Sequence, residues 1–186
     1  SSSSAASDVY KRQELGLIDQ SYFWLPNSNL SGILNMGYGA GMAEGRITNS
    51  VFVGSLGAVE FRPEIGVFTN NIIDVNSGPT SKHLHSPGIS NTINNNAYYH
   101  VGGASDSGWF YYGAAGHSTV SFEQWKIDSG YDANSTASPN AMPDTVFVRP
   151  NTYEIGRAHI LVYAASEPAS INVDLATTGL VHNQEY

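Results

Sequence analysis

The 186-residue sequence contains no cysteine. A disulfide framework, a thiolate metal site and a cysteine nucleophile are thereby excluded, while compartment stays open, because many exported bacterial proteins carry no disulfide. Charge is scarce at 13% of residues and leans acidic: eight Lys and Arg against sixteen Asp and Glu give a formal charge of −8. Such a surface argues against a nucleic-acid or anionic-membrane partner, which recruits clustered basic residues. No apolar run approaches the roughly 20 residues that span a bilayer. No amphipathic helical stretch is found either. In their place stand glycine, asparagine, serine and tyrosine, a composition of strands and turns, in a length that suits one domain with at most a small appendage.

What is present is a phrase that recurs. Gly45-Arg46-Ile47-Thr48-Asn49-Ser50-Val51-Phe52 is answered by Gly66-Val67-Phe68-Thr69-Asn70-Asn71-Ile72-Ile73, and frames starting at Gly16 and Asn91 fit the same order. The starts are separated by 29, 21 and 25 residues, about the length of one solenoid turn with insertions. In each copy a single apolar residue (Ile18, Ile47, Phe68) and an apolar pair (Tyr22-Phe23, Val51-Phe52, Ile72-Ile73) flank a polar corner. Short apolar runs broken by Asn and Gly are strand and turn signals. Asparagine tolerates the left-handed backbone of a sharp corner, so stacking predicts Asn49, Asn70 and Asn95 one above another as a ladder of amide hydrogen bonds. The fold class expected is all-β: an incomplete parallel β-helix over residues 14–120, whose first turn, Leu15 to Trp24, should fray. A leucine-rich repeat has a similar period, but its leucine frame is absent. Glycine-rich Met36–Met42 resembles a phosphate loop only in composition; no capped helix or Lys-Ser/Thr pair follows, which favours a loop between turns.

Three groups could carry chemistry. Lys82, His83 and His85 lie on the connection between the third and fourth copies, and histidines at i, i+2 share one face of an extended strand, where they could bind a metal or move protons. Two surface loop histidines are the plainer reading, since no paired carboxylates stand nearby in sequence. Tyr98, Tyr99, His100, Trp109 and Tyr111 form an aromatic stretch suited to stacking on sugar rings; in a wide β-helix aromatics also close the end of the core. Asp128, Asp132 and Asn134 offer oxygen ligands, but their spacing misses the calcium-loop frame and favours a hydrogen-bonded turn.

Residues 121–144 read as a loop-rich connection. Beyond Pro139 and Pro143, 145–149, 158–163 and 170–175 read as strands of a C-terminal antiparallel segment, 145–186, that would cover the open end of the solenoid. At the other end, Ser3 to Gln13 matches, residue for residue, the translation of a transposase mosaic-end sequencing adapter. The expectation is that residues 1–13 are an artefact outside the fold and that the chain is a piece cut at both ends.

Phe122-Glu123-Gln124-Trp125, Gly130-Tyr131-Asp132-Ala133-Asn134-Ser135 and Val148-Arg149-Pro150-Asn151, with Tyr153-Glu154 and Gly156-Arg157-Ala158, together resemble the tail of secreted bacterial right-handed parallel β-helix proteins of pectate-lyase-like fold. The resemblance spans about residues 45–186 and implies a right-handed solenoid, an exported protein and a polysaccharide or cell-surface glycan as partner, with Ca²⁺ a cofactor of the intact protein. No catalytic motif of that family matches a position here. Two functions follow as expectations: the C-terminal piece of a polysaccharide lyase or glycoside hydrolase, itself inactive, or a non-catalytic glycan-binding or surface-structural module of adhesin or fibre type.

Overall fold

The structure, a computed structural model, describes residues 13–25, 32–37, 42–54, 58–75, 84–86, 90–101, 110–112 and 119–180. The chain forms two compact units, Ser1–Ala141 and Met142–Tyr186, so the division falls between Pro139 and Pro143.

The first unit is built from short strands that visit three sheets in turn. Strands β1 (Gln13–Asp19), β4 (Met42–Thr48), β7 (Pro63–Thr69) and β10 (Ser90–Asn94) form the first sheet. The second holds β2 (Tyr22–Leu25), β5 (Val51–Gly54), β8 (Ile72–Val75), β11 (Ala97–Tyr99) and β14 (Thr136–Ala137). The third holds β3 (Gly32–Met36), β6 (Ala58–Phe61), β9 (Leu84–Ser86), β12 (Phe110–Tyr112) and β13 (Thr119–Val120). Every pairing is parallel except β12 with β13. The architecture is therefore all-β with parallel sheets.

The recurring phrase sets the register. Gly16, Gly45, Gly66 and Asn91 are successive Cα partners, so the frames read from sequence align to the residue. Space explains two of the glycines. A Cβ on Gly66 would come within 2.5 Å of Phe61 Cε1 and 2.7 Å of Pro63 Cγ, and one on Gly45 within 2.9 Å of Met36 Sδ. Like then stacks on like: Ile18, Ile47, Phe68 and Ile93 form one inward row, and Phe23, Phe52, Ile73 and Tyr98 another. The Phe23 and Phe52 rings stack at 4.8 Å and 3°. Ile47, Phe52, Phe68 and Ile73 are wholly buried, each side chain contributing about 1.5–3 kcal/mol.

The corner between first and second sheets corrects the predicted ladder by one residue. Gln20, Asn49, Asn70 and Asn95 do adopt left-handed backbone, with φ of 49°, 51°, 57° and 56°, but they are exposed. The ladder belongs to the residue after each. Ser21 N–H donates to Ser50 Oγ, Ser50 N–H to Asn71 Oδ1, Asn71 N–H to Asn96 Oδ1 and Asn96 N–H to Ser135 Oγ, at 2.8–3.1 Å. Asn71 and Asn96 also donate from Nδ2 to the carbonyls of Ile47 and Phe68. Buried backbone groups that a sharp corner leaves without strand partners are satisfied in this way.

A helix, α1 (Phe122–Ser129), occupies the start of the expected loop-rich connection. Its ends are well specified: Ser121 Oγ accepts from Gln124 N–H as N-cap, and Gly130 at φ 71° closes the C-terminus. Only Phe122 and Trp125 are buried, too few to write an amphipathic stripe. They pack with Tyr98 and Phe110 as a tilted aromatic cluster, ring centroids 5.0–5.7 Å apart. Both residues thus belong to the core of the first unit.

The second unit contains one antiparallel pair, β15 (Thr145–Pro150) and β16 (Ala158–Tyr163). The strand expected at 170–175 is not formed. Asp174 Oδ1 accepts from Ala176 N–H at 2.9 Å and turns the chain into a 3₁₀ segment at Ala176–Thr178, a local hydrogen bond competing with a ladder.

Candidate functional site

The sequence-predicted residues divide between two sheets. On the third, Asn35, Glu60, His85 and Tyr111 are successive register partners in β3, β6, β9 and β12. Neighbouring strands lie about 4.8 Å apart, so a carboxylate, a histidine and a tyrosine are brought to one position of consecutive strands. Glu60 lies between buried Val59 and Phe61 and therefore on the face turned from the core. Arg62 Nη2 donates to its Oε1 at 3.2 Å, with both side chains half-buried. Sequence reading singled out His85 and Tyr111 separately. Glu60 escaped it because it stands about two dozen residues from His85 and is placed beside it only by strand register, and Arg62 joins the row only through its bond to Glu60. The side chains of His85 and Tyr111, and all of Lys82, His83 and Trp109, lie outside the described residues.

The second sheet holds a different set. Trp24, Val53, Asp74 and Tyr99 are register partners on the face opposite the core row. Asp74 is buried, and its Oδ1 is joined to His100 Nδ1 by a short hydrogen bond. His100 stands in a left-handed conformation, φ 56°, and its N–H donates to Asn140 O at 2.9 Å. Tyr99 and His100 were predicted glycan contacts; Tyr98 was too, and for Tyr98 the structure overturns it. That ring is 1% exposed, inside the core, because alternation along β11 puts it opposite Tyr99.

The metal candidates are reassigned as well. Asp132 is fully buried and already held by four donors: Asn96 Nδ2 at 3.1 Å, Ser135 Oγ, Tyr98 OH at 3.0 Å and Trp125 Nε1 at 2.8 Å. Those bonds compensate its desolvation and leave it the role of a structural knot. Burial first, and then the Asp132 charge, push the Tyr98 phenol well above its ordinary pKa. Asp128 accepts from Gln124 Nε2 on the helix surface, and Asn134 N–H donates to Asn94 Oδ1. Among the described residues no group of three or more His, Asp or Glu could hold a metal ion.

In the second unit an open cavity of about 430 Å³ is lined by Asn151, Glu154, Arg157, His159, Leu175 and Leu180 among others. Its polar rim is largely self-satisfied: Asn151 Oδ1 accepts from Tyr153 and Glu154 N–H, and Arg157 pairs with Glu154 at 2.7 Å. No family model, curated protein or solved structure matches the chain. Among the described residues no helix is long and apolar enough to cross a membrane.

Proposed function

We propose that this chain is part of an exported, right-handed parallel β-helix protein that handles polysaccharide, with its acid–base groups on the third sheet. The order in which the chain visits the sheets and the ladder at one corner support the solenoid. The near-universal hand of parallel crossovers supports its handedness. The observation that carries the function is the row Glu60, His85, Tyr111, with Arg62 bonded to the carboxylate. A carboxylate, an imidazole and a phenol at one register position are the groups with which lyases and glycosidases transfer protons. A row that crosses successive strands at about 4.8 Å has a spacing close to the repeat of a linear polymer.

The test is affinity electrophoresis of the 186-residue chain in polygalacturonate and in neutral β-glucan, with and without Ca²⁺, alongside assays for unsaturated and reducing ends. Retardation by at least one polymer, weakened by Glu60→Gln, is expected. Retention with no product from the full-length protein would favour the non-catalytic glycan-binding or surface module. Neither retention nor product on either polymer would overturn the proposal.

A further inference from the structure

The second sheet carries groups that the third-sheet reading does not use. Trp24 is 76% exposed, a large indole on the face opposite the core, in the same row as Asp74 and Tyr99. Asp74 is 1% exposed, and a buried carboxylate persists only when paired. Its partner is His100 Nδ1. With Asp74 ionised, Nδ1 carries the proton and donates, which leaves Nε2 of the neutral ring as an acceptor fixed in orientation. Nε2 has no partner among the described residues, and the ring is 28% exposed. The left-handed backbone at His100 is the further cost of placing the ring there.

We propose that this face is a second, separate site that binds neutral glycan chains. Trp24 and Tyr99 are its stacking surfaces and His100, oriented by Asp74, is its hydrogen-bonding group. Three strand steps separate Trp24 from Tyr99, about 14 Å, a span suited to several linked sugars and too long for one. Flat rings that are apolar on the face and polar at the edge match both faces of a pyranose. Charge selects the class: Asp74 is already committed to His100, and the other outward positions of this sheet, Tyr22, Val51, Val53, Ile72, Ala97 and Thr136, supply no cation to pair with a uronate carboxylate. A pair that merely pinned one layer to the next would give Trp24 no part.

The experiment titrates the whole chain with cellohexaose, mannohexaose and hexagalacturonate, following the indole N–H of Trp24 and the imidazole Cε1–H of His100 by NMR. A neutral hexasaccharide should shift both signals, and Trp24→Ala and His100→Gln should each weaken its binding about tenfold. Because Trp24 is exposed, Trp24→Ala tests the site even if His100→Gln does not fold. Unmoved signals with both neutral sugars, or wild-type affinity in Trp24→Ala, would overturn the site. Equal affinity for hexagalacturonate would overturn its assignment to neutral chains. Either result leaves polysaccharide retention through Glu60 untouched, so the two proposals fail separately.

Discussion

The two units bury their apolar residues to very different degrees. In Ser1–Ala141, rows of Ile, Phe and Val stack in register and large rings such as Phe52, Phe61, Phe68, Phe110 and Trp125 are wholly buried. In Met142–Tyr186 the described residues bury only Met142 and Thr178, while Tyr153 and Ile155 are 95% and 92% exposed and Ile160 and Val162 more than 40%. A two-stranded sheet is marginal on its own. The second unit instead relies on individual side-chain bonds: Asn151 turning 151–154, Asp144 holding Ser166, Asp174 turning into Ala176. Repetition lets one short phrase specify many contacts, whereas a non-repeating segment must specify each turn separately.

The largest effect expected on this contrast comes from Asp132→Ala. It strips partners from the buried Trp125 Nε1, Tyr98 OH and Asn96 Nδ2, and should cost the first unit about 3–5 kcal/mol in urea unfolding. A loss under about 1 kcal/mol would mean that the knot is not what secures the end of the core. Next in size is a pair of neighbours. Asn71→Ala removes a buried acceptor from Ser50 N–H and a donor from Ile47 O, for about 2 kcal/mol. Asn70→Ala disturbs only an exposed left-handed corner, for about 1 kcal/mol. Equal losses would erase the distinction between corner and ladder.

That pair also marks how far the sequence could be read. The register was legible because the phrase repeats; Gly16, Gly45, Gly66 and Asn91 could be aligned without any structure. The ladder was misplaced by one residue because Asn70-Asn71 and Asn95-Asn96 are doublets, and both members suit a turn. The column Ser21, Ser50, Asn71, Asn96, Ser135 held the clue: small side chains able to accept a backbone N–H at every level. Helix α1 announced itself through Ser121, Gln124 and Gly130, a capping box and a C-terminal glycine, but its two buried residues gave no periodicity. Rows such as Glu60, His85 and Tyr111, or Asp74 with His100, join residues about 25 apart, and only strand register brings them together.

In the second unit, Tyr153→Ser and Ile155→Ser should change stability by less than about 0.5 kcal/mol, because neither side chain is buried. A larger loss, measured on the whole chain, would show that these side chains are covered in solution. The smallest effect is a matter of pH. Asp144 accepts from the Ser166 hydroxyl, the principal cause, and from Ser166 N–H, which together hold its pKa below the ordinary 3.8. A depressed carboxylate stabilises the fold above its unfolded pKa, and that contribution is lost as pH falls through the folded value. At neutral pH the effect is therefore fully present and flat, and the second unit should loosen only in acid below the ordinary carboxylate range. Ser166→Ala should move the Asp144 midpoint up toward 3.8 in a carboxylate-carbon NMR titration. With the folded and unfolded values brought together, the acid loosening of β15 and β16 that Asp144 contributes should shrink, while the first unit's transition stays in place. An unchanged midpoint would show that the Ser166 hydroxyl does not hold the carboxylate, leaving that to the Ser166 N–H.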